Sequence, residues 1–134
     1  MGAEENIKTI KDVYEAFARG DVEAVLSKLA NDVDWAAETT SMAAPWYGIR
    51  HGKDEVATFF QEFGSTMEVQ EFTPHAFAAT DTEVHTLVRC RATSRSTGRS
   101  IDQDLHHFFR LQSGRIVYYR GTEDTAQTES VLGA

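Results

Sequence analysis

The chain is predicted to fold as one α+β domain in which helices pack on one face of a strongly curved, mostly antiparallel sheet. Three observations predict this. Apolar residues recur at helical spacing as far as Phe63, strand-like runs follow from Met67 onward, and the last three runs, residues 83–123, sort their side chains onto two distinct faces. Helices followed by consecutive strands indicate segregated layers rather than alternating βαβ units.

In chain order, Ile7, Ile10, Val13, Tyr14 and Phe17 form the buried stripe of a first helix that stops near Arg19-Gly20. Asp21 can cap a second helix in which Val22, Val25, Leu26 and Leu29 face inward, ending near Asn31. A short strand through Val33 and Trp35 follows. The segment AAETTSMAAPWYGIRHG has neither period and contains Pro45 and two glycines, so it is expected to be a long loop with Trp46 and Tyr47 at an aromatic tip. Val56, Phe59, Phe60 and Phe63 mark a third helix over residues 53–63. Met67 to Phe77 reads as a strand broken or ended by Pro74, which suits a sheet edge or a bulge.

The remaining three strands form a meander whose register can be tested on side-chain chemistry. A two-residue loop at Thr97-Gly98 would place Val88 opposite His107, Cys90 opposite Leu105 and Ala92 opposite Gln103 on one face. The other face then pairs Arg91 with Asp104, Arg89 with His106 and Thr93 with Asp102. A three-residue turn at Gln112-Ser113-Gly114 would place His107 opposite Tyr119, Leu105 opposite Gly121 and Gln103 opposite Glu123. One face is therefore apolar except for Gln103, His107 and Glu123. Each buried polar group costs roughly 1–3 kcal/mol unless hydrogen-bonded, so a cavity holding water or a ligand is one explanation of the three.

With 134 residues there is room for one core and one domain over residues 1–134. A net charge of −8 and a pI near 5.0 disfavour partners bound through basic patches, so neither nucleic acid nor an anionic membrane is expected. Arg89, Arg91, Arg95 and Arg99 make the single basic cluster, and Asp102 and Asp104 on the neighbouring strand would neutralise it. The single cysteine, Cys90, reads as a small core residue and suits a reducing compartment. The acidic opening MGAEENIKTI lacks the apolar run of a signal peptide, and a cytoplasmic location is expected. Histidines at 51, 75, 85, 106 and 107 lack metal-ligand spacing, and glycine-rich phosphate loops, GxSxG and HExxH are absent, so no metal or other cofactor is expected.

Two stretches, APWYGIRHGKDEVATFF and HFFRLQSGRIVYYRGTEDTA, resemble the loop-plus-helix signature and the final hairpin of SnoaL-like proteins, members of the nuclear transport factor 2-like superfamily. The likeness runs over essentially the whole chain. It implies a cone in which a bent sheet wraps around three helices and encloses a pocket, commonly in a homodimer. Members include polyketide cyclases, ketosteroid isomerase, limonene-epoxide hydrolase and binding or accessory domains, so fold does not choose the function. His107, seven residues before Gly114, matches a pocket histidine of the cyclases. Their acid/base aspartate matches Gly121, which is expected to leave extra space in the cavity. The acid of the epoxide hydrolases would match Asp124, but their arginine and earlier aspartate map to Val88 and Cys90.

The candidate catalytic residues are accordingly His107, as an imidazole near its ordinary pKa of ~6.5, and Glu123, as a carboxyl raised by burial or solvated at a rim. Tyr14, Trp35, Trp46, Tyr47, Phe63, Val88, Gln103 and Tyr119 are the candidate ligand-binding residues. For His107 a core histidine with a satisfied hydrogen bond is as good a description as a functional one, and Tyr14 can be a core tyrosine. Two functions fit. One is a cofactor-independent isomerase, cyclase or hydratase acting on an apolar, oxygenated small molecule; the other is a non-catalytic binding or dimerisation module. Leu87, Phe108, Ile116 and Tyr118 on the outer face suggest a homodimer.

Overall fold

The computed structural model describes residues 2–133. Six strands form one curled sheet in the order β2-β1-β6-β5-β4-β3. The N-terminal helix α1 (Ala3–Ala18) buries Ile10, Val13, Tyr14 and Ala16 against it. A second helix, α2 (Val22–Leu26), starts where the Asp21 carboxylate accepts the Ala24 N–H at 3.0 Å. It is much shorter than predicted. Leu29 instead opens β1 (Leu29–Ala37), fully buried opposite Ile116, because parallel pairing with the last strand takes over the backbone there. Tertiary pairing outweighs the helical spacing of one short segment.

The long loop is likewise shorter than expected. Its end forms β2 (Gly48–His51), antiparallel to β1, and leads into α3 (Gly52–Thr66). The strand β3 (Met67–Ala79) is a sheet edge, with irregular register at Val69/Glu71 and again at Pro74/Ala76, where the proline suits a bulge. The chain then runs through β4 (Glu83–Ser94), β5 (Ser100–Gln112) and β6 (Arg115–Thr122). A final helix, α4 (Thr125–Leu132), was not foreseen.

Both predicted hairpin registers are displaced by two residues. Between β4 and β5 the loop has four residues, not two: Ser94 N–H bonds to Arg99 O and Gly98 N–H to Ser94 O, with Gly98 at φ +73°. The Ser94 and Thr97 hydroxyls accept the Thr97 and Arg99 N–H groups and hold this wider turn. Val88 therefore faces Leu105, and His107 faces Thr86. Between β5 and β6 the turn is tighter, two residues with Ser113 at φ +52° and Gly114 at +77°. A bulge at Val117 follows, since Arg110 pairs with Tyr118 but Leu111 with Ile116. His107 consequently faces Gly121 rather than Tyr119, and the bulge turns Ile116 from the predicted outer face into the core.

Because a shift of two leaves the pleat unchanged, the inner wall keeps its predicted members. Val84, Val88, Cys90, Ala92, Leu105 and Phe109 are all buried there, with Gln103 and His107 among them. The tight turn also has a testable weakness. Ser113 occupies left-handed backbone that asparagine tolerates better before glycine. Ser113→Asn is expected to stabilise the fold by roughly 0.5 kcal/mol, read as a rise of a few degrees in thermal denaturation; an unchanged or lower melting temperature would count against this turn geometry.

Candidate functional site

The inner wall, α1 and α3 surround a cavity of about 80 Å³. Of the residues singled out from sequence, Tyr14, Trp35, Trp46, Phe63, Gln103, His107, Tyr119 and Glu123 line it. Val88 does not: it is wholly buried in the core beneath, opposite Leu105. Tyr47 also stands outside the lining, behind Glu123. Phe59, Phe60 and Phe72 complete an aromatic wall. Helical spacing marks Phe59 and Phe60 as inward-facing, but nothing in that spacing separates a cavity wall from a filled core.

His107 projects from the middle of β5 toward α1, where Tyr14 Oη lies 2.6 Å from its Nδ1. The two rings are parallel within 8°, and Phe109 and Tyr119 close around the imidazole edge-on. Burial disfavours the imidazolium and lowers the His107 pKa to about 3, so the ring is neutral at cellular pH, not poised near 6.5. Burial also raises Tyr14 well above the ordinary phenol range. A neutral phenol is a better donor than an imidazole N–H, so Tyr14 donates to Nδ1 and the ring proton sits on Nε2. That N–H has no protein partner among the described residues. Thr86, across the strand from His107, has a buried hydroxyl without an aligned hydrogen bond.

Gly121 does not enlarge the cavity as expected. A Cβ placed there would lie 2.3 Å from Tyr119 Oη, 3.0 Å from Tyr119 Cζ and 3.3 Å from His107 Cδ2. The Tyr119 ring fills that space, stacked on Trp35 with centroids 4.0 Å apart. Its pKa is raised well above the usual phenol value, chiefly by burial.

Glu123 follows the end of β6 and is held by a directed chain of hydrogen bonds. Gln103 Oε1 accepts the Asp124 N–H at 2.8 Å, which orients its amide so that Nε2 donates to Thr128 Oγ1 at 3.2 Å. The Thr128 hydroxyl donates to Glu123 Oε2, with the Asp124 carbonyl a longer alternative at 3.4 Å, and Oε2 also accepts from Tyr47 Oη at 3.1 Å. Burial raises the Glu123 pKa, and the hydroxyls of Thr128 and Tyr47 and the Gln103 amide oppose that rise. Oε1 has no protein partner among the described residues. Thr128 belongs to α4, the helix missed from sequence; Asp124 at its N-cap bonding Gln127 N–H, with Gly133 left-handed at its end, was the available signal. Asp124 is thus occupied in capping. Cys90 lines the cavity with a thiol pushed up to about 12 by burial, which leaves it unreactive. Among the described residues, no cluster of three or more His, Cys, Asp or Glu side chains is placed to hold a metal ion.

Comparison with known proteins places this architecture. A search of curated proteins found no significant match. A solved NTF2-like protein of unknown function from Burkholderia pseudomallei is 30% identical, with 97% of this chain and 98% of that one covered at a TM-score of 0.89. TerC, co-crystallised with polyporic acid, shares 20% identity over 97% of this chain and 99% of its own, at a TM-score of 0.85. An epoxide hydrolase of limonene-epoxide hydrolase type from Mycobacterium tuberculosis shares 18% over 97% of this chain and 90% of its own, at 0.74. At those identities the last two likenesses concern the fold. The SnoaL-like domain profile matches residues 10–119, and with this curled sheet around its helices the chain belongs to the SnoaL-like family of the NTF2-like superfamily.

Proposed function

We propose that this protein binds an apolar, oxygen-bearing small molecule in the cone and moves a proton on it without a cofactor, as an isomerase, cyclase or hydratase does. The observation that carries this reading is Glu123. Its carboxyl borders an aromatic cavity, has a raised pKa, and is oriented through Oε2 while Oε1 stays free. The ionised form can take a proton from carbon next to a ligand carbonyl and return it at another position. His107 acts differently from the sequence expectation: as a neutral ring it steadies the carbonyl oxygen through Nε2–H, with Tyr14 setting the tautomer. A non-catalytic binding module is the second reading, favoured by Gly121 at the position where related cyclases carry their acid. The buried free thiol of Cys90 fits the cytoplasm, and no helix of the described residues is long and apolar enough to cross a membrane.

An enolisable ketone separates the two. 2-Indanone in deuterated buffer, followed by NMR, is expected to exchange its α-hydrogens faster with the protein than without it, and Glu123→Gln should reduce the protein-dependent rate by about 100-fold or more while binding persists. Binding without accelerated exchange would favour the module.

The neutrality of His107 has a consequence for folding. Its pKa falls from 6.5 unfolded to about 3 folded, so between these values the unfolded chain binds more protons. The contribution is complete above pH 6.5 and is lost as pH falls toward 3, amounting to roughly 2 kcal/mol by pH 5. Denaturant titrations should show the wild type losing more stability than His107→Gln between pH 7 and 5; parallel losses would mean that the imidazole is not buried neutral.

We also propose a homodimer through the outer sheet face. Leu87, Phe108 and Tyr118 lie there half-buried among Arg89, Arg110, Asp102 and Asp104, a mixed-charge surface able to pair with itself. Sedimentation at micromolar concentration should give twice the 15.0 kDa chain mass, and Tyr118→Glu should give the monomer.

A further inference from the structure

The Gly121 backbone has no positive φ that would call for glycine, so the requirement is one of space. Real Cβ atoms essentially never come within 3.0 Å of another heavy atom, yet one at this position would lie 2.3 Å from Tyr119 Oη. The phenol can occupy its place only because residue 121 has no side chain. Trp35 stacks on one side of the ring, and His107 meets it at 73° with centroids 5.3 Å apart. Tyr119 is 5% exposed and lines the cavity, but its hydroxyl makes no hydrogen bond among the described residues. A phenol facing a mostly apolar cavity without a protein partner is free to donate to a ligand acceptor.

We infer that Gly121 and Tyr119 form one specificity-determining pair, in which the missing side chain at 121 lets the Tyr119 hydroxyl lie beside His107 and donate to a carbonyl oxygen on a planar apolar ligand. This rests on the cavity being a small-molecule site. The substitution inverts the polarity of the position. A carboxylate there could only accept hydrogen bonds, whereas a neutral phenol can donate one, so the site can hold a ketone- or quinone-type oxygen that a carboxylate would repel. The ring faces of Trp35 and Tyr119 and the phenylalanines of α3 favour a flat ligand frame.

The test uses 2-indanone and indane, which have nearly the same shape and differ by the carbonyl, titrated into the protein by NMR. Tyr119→Phe keeps the ring and removes the donor. It is expected to lower the ratio of the indane to the 2-indanone dissociation constant by roughly 3- to 10-fold. Gly121→Ala, whose Cβ must displace the ring, is expected to lower the same ratio and to reduce the melting temperature less in a Tyr119→Leu background than in the wild type. An unchanged ratio in Tyr119→Phe, or equal Gly121→Ala penalties in the two backgrounds, would overturn the pairing while leaving the cavity a binding site. Failure of both probes to bind the wild type would overturn the cavity reading, and the pairing with it.

Discussion

The hydrogen bond between Tyr14 and His107 is the constraint around which the interior is arranged. A curled sheet must bury its inner face, and this one buries an imidazole in the middle of its fifth strand. The ring avoids the cost of an unsatisfied nitrogen only because the first helix delivers a phenol to Nδ1 at 2.6 Å. That contact sets which tautomer the ring adopts, while the buried apolar face of α1 and the bonds from Asn6 to Thr80 O and Asp81 O seat the helix on the sheet. Burial keeps both groups uncharged, since neither ion would be solvated there. Donors rather than charges are what this part of the cavity can present.

The opposite rim works by another rule. Glu123 is half-buried, and its Oε2 accepts from two hydroxyls, that of Tyr47 in the loop and that of Thr128 in α4, the second placed by Gln103 of β5 and the Asp124 N–H. The chain of bonds ends on one carboxylate oxygen and leaves the other without a protein partner among the described residues. A carboxyl held this way is orientated without being fully neutralised by a cation, which is the condition for a useful acid or base near neutral pH.

The sheet was legible in the sequence for a reason that also explains the errors in it. Alternation reports parity, not position: it says that His107, Gln103 and Tyr119 share a face, and displacements of two residues leave that statement intact. Which residues stand opposite each other depends on turn chemistry, and there Ser94 and Thr97 stabilised a wider loop than Thr97-Gly98 suggested. The one inversion of facing, at Ile116, came from a bulge, which no periodicity announces. Leu29 was placed in a helix because its spacing fitted one, while its partner Ile116 lies far along the chain. The short helix α4 had little amphipathic pattern to reveal it and needed its cap to be recognised, so Thr128 was lost with it. Tyr14, by contrast, could be seen to face inward, but the contact with His107 spans 93 residues and belongs to packing alone.

Gly121 shows how far a residue-by-residue likeness to a family can carry and where it stops. Read singly, a glycine in place of an acid is a deletion, and it suggests an enlarged cavity with its chemistry removed. Read with its neighbour two residues earlier on the same face, it is an exchange of one side chain for another's reach. The Tyr119 ring comes from the adjacent inward position and covers the gap, supported by Trp35 from β1. Where the resemblance implies an acid, this point of the wall carries a phenol able to donate, and the cavity's buried carboxyl is that of Glu123. The two ends of the cavity therefore differ in kind, with a neutral phenol packed on Trp35 at one and an oriented carboxyl at the other.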